Sequence, residues 1–521
     1  MIAGELKKFP LGWCSTKGED LFDFVRGVTF NKSESTDKPL PGFIGILRAG
    51  NLQDGIIIYD DLVYVPEKNV KEIQRINKFD LVVAMSSGSK KVVGKVSFVQ
   101  KDTPEIAFGT FCGLLRPKNS DIGVWLKHFF QTNAYRYHIS ETAAGVNINN
   151  LKKEHFFALN IPFPPVNELR CITNKIEALQ SKSKKAKQAL EAAKPLLDKL
   201  RQSILASAFR GDMTADWRKK NPDVEPASVL LKRIRVERRK KWEENELAKM
   251  RANGKEPKDD KWKSKYKEPE PVDIEGLPDL PHGWCWVALE ELGIHKSGVA
   301  YKSKEFVSEG IQVVKLGNLY QGRFDLLRDP SFLPEYHPDI EVGRIEPKDL
   351  LISQTGTRHK KDYGHFVIIP DSAPPLVLNQ RVLCVKIVEI KLISWVLYSS
   401  RLNLYQKHFF SRETGGVNQG NVGIEGVMRG PIPIAPLPEM LRIASILEST
   451  EKKIQKIEKK INLNFEKLSY LNQSILSKAF QGDLVLQNPS DEPVSILLEK
   501  IKFEKLNSKS DKKNVGKQKT I

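Results

Sequence analysis

The chain repeats itself at one fixed offset, and that constrains its fold more than any other feature of the sequence. Pro10-Leu11-Gly12-Trp13-Cys14 returns 271 residues later as Pro281-His282-Gly283-Trp284-Cys285. Six residues after each Trp stands an acidic pair followed by Leu: Glu19-Asp20-Leu21 and Glu290-Glu291-Leu292. At the far ends, LRQSILASAFRGDM (Leu200 to Met213) and LNQSILSKAFQGDL (Leu471 to Leu484) share nine of fourteen residues at the same offset of 271. One offset at both ends of a long unit signals a duplicated module and a pseudo-twofold chain. Two such modules on one basic chain suit a molecule that reads two sites.

Between these ends, each copy mixes short β-type runs with helical patches. Gly55-Ile56-Ile57-Ile58-Tyr59 and Leu81-Val82-Val83-Ala84-Met85 read as strands, and Val124 to Phe130 reads as helix. Islands of similarity recur. Asp80-Leu81-Val82 matches Asp349-Leu350-Leu351, and Glu141-Thr142-Ala143-Ala144-Gly145-Val146-Asn147 matches Glu413-Thr414-Gly415-Gly416-Val417-Asn418. The sequence between islands diverges, as expected of one framework with two specificities. Each globular stretch closes on a proline cluster: Pro162, Pro164 and Pro165, then Pro431, Pro433, Pro436 and Pro438. Proline stops regular pairing, so each cluster reads as a hinge.

A long helix follows each cluster. Its seam runs through Leu169, Ile172, Ile176, Leu179, Ser183, Ala186, Leu190, Ala193, Leu197, Leu200 and Ile204 in the first copy. In the second it runs through Met440, Ile443, Leu447, Thr450, Ile454, Ile457, Ile461, Asn464, Leu468, Leu471 and Ile475. Sustained 3-4 alternation is the coiled-coil pattern, and each seam spans about 54 Å at the helical rise. A repeat-related twofold axis makes the pairing of the two helices antiparallel. Pro195 is expected to loosen the first helix, and Asn464 to sit buried in the seam and fix register. Glycine in each Ala-Phe-x-Gly-Asp block suits a helix C-terminus, and Glu225-Pro226-Ala227-Ser228 and Glu492-Pro493-Val494-Ser495 suit helix starts.

The expected fold is therefore α+β. Two globular mixed modules are separated by long antiparallel coiled-coil helices. The expected domains are 1–165, a central helical spacer with a charged linker over 166–280, a second module over 281–438, a C-terminal helical spacer over 439–505, and a basic tail over 506–521. Asn253 to Asp273 and Asn507 to Ile521 are polar and read as flexible.

The formal net charge of +19 favours a polyanionic partner. Much of it is concentrated: Arg210 to Lys267 carries 19 basic against 11 acidic residues, and Lys500 to Ile521 carries 8 against 2. The five cysteines form no CxxC pair, which argues against a disulfide framework or a zinc site. No apolar run is long enough to span a membrane and the N-terminus lacks a signal pattern, so a cytoplasmic location is expected. The phosphate-binding GxxxxGK[ST] loop, the HExxH motif and the Asn-Pro-Pro-aromatic motif of adenine methyltransferases are all missing. No catalytic or metal-ligating residue is assigned.

One pair of loops remains. Ser86-Ser87-Gly88-Ser89-Lys90-Lys91 and Gln354-Thr355-Gly356-Thr357-Arg358-His359-Lys360-Lys361 each follow a β-type run that opens with Asp-Leu. Gly admits a close phosphate, Ser and Thr offer neutral hydrogen bonds, and Lys and Arg neutralise phosphates or read base edges. The same pattern suits an ordinary hairpin with solvated lysines, and its recurrence is what favours contact with DNA. The candidate DNA-binding residues are Ser89, Lys90, Lys91, Thr355, Thr357, Arg358, His359, Lys360 and Lys361.

Taken together, the Pro-x-Gly-Trp starts, the Gln-Ser-Ile-Leu-x-x-Ala-Phe-x-Gly-Asp blocks, the Thr355-Gly356-Thr357 loop and Asn379-Gln380-Arg381 resemble the specificity subunit of bacterial type I restriction-modification systems. The resemblance covers residues 9 to 505 and rests on the duplicated order. It implies a non-catalytic subunit with two target recognition domains, each binding one half of a bipartite site in double-stranded DNA. It also implies helical spacers that bind two methyltransferase subunits, and restriction subunits that join the full complex. S-adenosylmethionine, ATP and Mg would belong to those partners, with no cofactor in this chain. The first module departs from the pattern in having Ser86-Ser87-Gly88-Ser89 for the Thr-Gly-Thr loop and no legible counterpart of Asn379-Gln380-Arg381. The competing readings are a coiled-coil scaffold without sequence-specific DNA binding, and a self-contained methyltransferase or nuclease.

Overall fold

The computed structural model describes residues 9–53, 55–89, 92–142, 149–252, 254, 256–257, 259–496 and 498–499. The chain divides into two compact units, one of residues 1–191 with 460–521 and the other of residues 192–459. Neither unit is a contiguous copy of the repeat: each combines one globular module with the closing block of the other copy.

The module in each unit is built on the same strand order. In the first unit an antiparallel sheet runs Phe22–Arg26, Cys112–Pro117, Leu81–Ala84, Val96–Phe98. In the second it runs Gly293–Ser297, Val382–Ile387, Leu350–Ser353, Phe366–Ile368. A further sheet in each contains one parallel pair, Ile106–Phe108 on Phe43–Leu47 and Leu376–Leu378 on Ile311–Val314. Strands Leu81–Ala84 and Leu350–Ser353 are buried at every residue, which is why they are continuous apolar runs. The helical patch of the first module is the helix Ser120–Phe129, with Asn119 accepting from the Ile122 amide as N-cap.

The proline clusters are not hinges. Asn160–Phe163 and Pro431–Ile434 are strands that pair antiparallel with Cys14–Lys17 and Cys285–Ala288, in the same register in both units. Proline is tolerated because these are two-stranded pairs in which its missing donor can face away from the ladder. The prolyl carbonyls are used: Pro162 accepts from the Trp125 indole at 2.9 Å and Pro433 from the Trp395 indole at 2.6 Å.

The long helices are continuous, Val166–Phe209 and Leu437–Gln481, and Pro195 lies inside the first without ending it. Residues 169–176 share a core with residues 475–479, while residues 205–209 share one with residues 440–447. The numbers run in opposite senses, so the helices pair antiparallel. Arg201 of the first helix clamps Glu451 at 3.1 Å and Glu458 at 2.9 Å on the second. The seam is well buried where it meets the modules and poorer between. Leu200, Ile457 and Leu471 are exposed. Asn464 is exposed too, contrary to its expected buried place, because two helices alone cover only part of each other's circumference.

The two sequence signatures meet in the packing. Phe480, from the second closing block, packs on Trp125 of the first module at 4.4 Å between ring centroids. Phe209, from the first closing block, packs on Trp395 of the second module at 4.5 Å. The Gly12 carbonyl accepts from the Val494 amide, and the Gly283 carbonyl from the Ala227 amide. Gly211 and Gly482 hold φ of 76° and 78°, the left-handed turn that ends each long helix.

The charged segment after the helix Ala227–Ala252 is ordered where described, contrary to its composition. Trp262 stacks on Trp242, Tyr266 packs on the same ring, and the Tyr266 hydroxyl accepts from Arg238 at 2.8 Å. Three aromatic rings anchor what the Lys, Pro and Glu content describes as a flexible linker. Residues 506–521 lie outside the described residues.

Each unit buries one glutamate under the Trp of its Gly-Trp-Cys start, but the environments differ. Glu168 accepts from the Trp13 indole at 2.9 Å, and its other neighbours are Gln487 and Asp491. Burial raises its pKa above the usual carboxylate value. Glu439 accepts from Trp284 at 2.9 Å and from Thr214 at 2.6 Å, and is paired with Arg218. Glu439→Gln should therefore destabilise by about 3 kcal/mol, since it leaves Arg218 without its counter-charge. Glu168→Gln should be neutral or mildly stabilising at pH 7. The wild-type penalty at Glu168 is full above its raised folded pKa and is relieved as pH falls through that value toward the unfolded one. The advantage of the Gln variant should shrink accordingly on acidification. Thermal unfolding of both variants from pH 7 to pH 4 checks both expectations.

Candidate nucleic-acid interface

In the second module the Thr-Gly-Thr loop is the strand Thr355–Thr357, paired antiparallel with Gln419–Val422, which in turn pairs with Glu413–Gly415. Two repeat islands distant in sequence thus form one three-stranded ribbon. The Thr355 hydroxyl donates to the Asn421 side-chain oxygen at 2.9 Å, and the Thr357 amide to Asp362 at 2.6 Å. Arg358 is half-buried. Its Nε donates to Glu413 at 2.9 Å and its Nη1 to the Gly416 carbonyl at 3.3 Å. The Tyr363 hydroxyl also donates to Glu413. That bond first, and then the Arg358 hydrogen bond and charge, hold the Glu413 pKa below the usual carboxylate range. Arg358 and Glu413 therefore act as a clasp across the ribbon. His359, Lys360 and Lys361 are exposed on the following turn, with the Lys361 ammonium 5.0 Å from the Phe410 ring centroid.

Clefts flank this ribbon. One of about 390 Å³ is lined by Gln354, Thr355, Gln380, Arg381, Gln419 and Asn421, among others. Another of about 410 Å³ lies beside Tyr320, Arg328, Thr357 and Asn418. Arg328 stacks on Tyr320 at 3.7 Å. Gln380 and Arg381 are exposed. Amides and a guanidinium lining a concave surface are the side chains that hydrogen-bond base edges.

The first module carries the same construction with different residues. Ser86–Ser87 pairs with Asn149–Asn150, so Ser86 stands where Thr355 stands and Asn150 where Asn421 does. Ser89 is exposed, and its amide donates to the Ser87 hydroxyl at 3.1 Å. Lys90 and Lys91 lie outside the described residues, as does 143–148. Clefts of about 790 Å³ and 730 Å³ adjoin the loop Gly109-Thr110-Phe111, the second bordered by Arg26, Lys152 and Lys153.

That loop is the counterpart of Asn379-Gln380-Arg381 which the sequence did not disclose. The Met85 amide donates to the Phe111 carbonyl at 2.8 Å, and the Gln354 amide to the Arg381 carbonyl at 3.3 Å. The Leu151 amide donates to Met85 and the Val422 amide to Gln354, both at the same step of the ribbon. Val28 bridges Gly109, and Val299 bridges Asn379. Both valines follow a glycine whose Cβ would meet the tip backbone, 2.1 Å from the Gly109 oxygen at Gly27 and 2.2 Å from the Asn379 oxygen at Gly298. The sequence signal was present: Gly27-Val28 and Gly298-Val299 stand at the 271-residue offset.

A module is thus built twice on one register, with the closing helix of each copy completing the other's core. The chain belongs to the family of the Type I restriction modification DNA specificity domain, whose model matches residues 10–192 and 281–466. It is similar to the Type I restriction enzyme EcoKI specificity subunit of Escherichia coli (strain K12), 28% identical over 532 residues and covering 97% of each chain. It is likewise similar to the StySPI specificity subunit of Salmonella potsdam, 29% identical and covering 96% of each. A solved chain described under "Structural basis underlying complex assembly and conformational transition of the type I R-M system" shares the fold with a TM-score of 0.62 at 17% identity, covering 92% of this chain and all of that one. Among the described residues no group of three or more His, Cys, Asp or Glu is placed to hold a metal ion, and no helix is long and apolar enough to cross a membrane.

The glycines give a local test. Gly298→Ala forces the Asn379 carbonyl away and should cost roughly 1–3 kcal/mol as an overpacked contact. Because the displaced backbone carries Gln380 and Arg381, DNA affinity should fall more than stability alone explains. Fluorescence anisotropy with target DNA, run beside thermal melts, checks this.

Proposed function

We propose that the chain is the non-catalytic specificity subunit of a type I restriction-modification complex, with each module reading one half of a bipartite DNA site. The observation that carries this reading is the recurrence of one polar ribbon-and-tip construction in both modules, held by matching framework and lined by different side chains. Framework identity keeps the mode of approach the same, and divergence at the lining lets two half-sites differ. Exposed Lys360 and Lys361 and the cations at the clefts suit phosphate contact, which positions without specifying. Lys90 and Lys91 extend this role to the first module. The paired helices dock two methyltransferase subunits and set the unread gap between half-sites, and restriction subunits complete the assembly. S-adenosylmethionine, ATP and Mg act on those partners, in the cytoplasm.

Co-expression with the cognate methyltransferase, followed by long-read sequencing for methylated bases, tests the reading directly. A bipartite methylated motif is expected. A chimera in which residues 11–165 are replaced by a related module should change one half of that motif and leave the other intact. Methylation without sequence preference would support a scaffold instead, and S-adenosylmethionine binding by the isolated chain would support an enzyme. Deleting one heptad from each helix, Leu190 to Leu196 and Ile461 to Lys467, removes about 10 Å from each. The preferred gap should shorten by a few base pairs while both half-sites persist in the sequenced motif.

A further inference from the structure

The two tips present opposite chemistry on the same backbone. In the second module the tip ends in exposed Gln380 and Arg381, and Arg381 makes no side-chain hydrogen bond or ion pair among the described residues. In the first it ends in Thr110 and Phe111, and Phe111 is 66% exposed. Of the phenylalanines among the described residues, only Phe9 and Phe111 are exposed, so an unburied ring at this place is not the habit of the fold. Nor is it a loose side chain on a loose loop. The Phe111 carbonyl accepts from the Met85 and Ser86 amides, and Gly109 is bridged to Val28. A rigid backbone therefore presents an apolar ring between two clefts, one lined by Arg48 with Asp60 and Asp61, the other by Arg26, Lys152 and Lys153 with Glu154. Arg48 is tied to Asp61 and Lys153 is paired with Glu154 at 4.0 Å, while Arg26 and Lys152 border the open cleft.

On a surface read as meeting DNA, an apolar ring has one matching feature in the major groove: the 5-methyl group of thymine. A free guanidinium beside an amide matches the O6 and N7 acceptors of guanine. We propose that the tip residue is the specificity-determining side chain of each module, Phe111 packing on a thymine methyl in the first half-site and Arg381, with Gln380, hydrogen-bonding a guanine edge in the second. The proposal rests on the reading of both modules as DNA-reading and names what each reads.

The test uses the full chain with its methyltransferase. Methylation sequencing first defines the motif. The first half should contain a T·A pair and the second a G·C pair. Duplexes carrying deoxyuridine for each thymine, or 7-deazaguanine for each guanine, then locate the contacts by affinity. Removing the critical methyl should weaken wild-type binding roughly 3- to 5-fold. Phe111→Ala should lose a similar factor and become insensitive to the uridine substitution, with Phe111→Leu retaining part of both. Arg381→Ala should lose roughly 10- to 100-fold, become insensitive to 7-deazaguanine at one position, and relax that position in the methylated motif. Both side chains are exposed, so melting temperatures should not move. Retention of the wild-type motif and of analogue sensitivity in the Ala variants would overturn the proposal, as would a first half without T·A or a second without G·C. A wild-type complex with no bipartite motif would instead overturn the DNA-reading function beneath it.

Discussion

The fold depends on a reciprocal exchange of aromatic side chains. Each module has a tryptophan pair in T-shaped contact, Trp13 with Trp125 and Trp284 with Trp395, at 6.0 and 5.6 Å. Each pair is completed by a ring from the other copy of the repeat. Phe480 covers the first and Phe209 the second, and each arrives at the end of the long helix that began in the other copy. The most similar stretch of the duplication, Ser-Ile-Leu-x-x-Ala-Phe-x-Gly-Asp, is thus a plug shaped for a partner rather than for its neighbours in sequence. The Phe of that block answers to a tryptophan of the other copy. That explains why the block and the Pro-x-Gly-Trp start stay alike while the sequence between them drifts.

Much of this was legible in the sequence, and the reasons are physical. Seam periodicity marks helices whatever surrounds them, and the fixed offset marks duplication without any structural knowledge. What escaped was decided by long-range partners. Prolines 162 and 433 look like strand breakers, yet their carbonyls receive indole N–H bonds from Trp125 and Trp395, and their strands close the module. The segment after Ala252 has the composition of a linker, but Trp262 and Tyr266 find Trp242. Asn464 fits a seam by number but not by geometry, because a pair of helices leaves part of each seam uncovered.

The candidate site shows the same division. The Thr355-Gly356-Thr357 loop was visible as a polar Gly-flanked run, but what organises it lies elsewhere: Glu413 and Asn421 come from an island some sixty residues on. Arg358, which reads as a base or phosphate contact, is held by Glu413 across the ribbon and so shapes the surface that Gln380, Arg381 and Gln419 line. The equivalence of Gly109-Thr110-Phe111 with Asn379-Gln380-Arg381 has no trace in the tips' own residues, only in the Gly-Val pairs that pack against them. It is carried by backbone hydrogen bonds, and alignment of side chains cannot find what only main-chain register preserves.

That separation between backbone and side chain is what allows one fold to hold two specificities. Gly27 and Gly298 leave no room for a Cβ against the tip carbonyl, and the amides of Met85 and Gln354 fix the carbonyl two residues on. None of these constraints involves the side chain at the tip, so Phe111 and Arg381 exchange an apolar ring for a cation without disturbing the framework. The buried glutamates follow the opposite logic. Glu168 and Glu439 keep the same bond to tryptophan, and the difference between them, Arg218 against no paired cation among the described residues, arises in the covering segment, which is four residues shorter in the second copy between the Gly-Asp and Glu-Pro landmarks. Where a side chain is part of the framework, divergence is confined to its surroundings. Where the backbone alone is the framework, the side chain is free to diverge, and those positions are the ones that face the clefts.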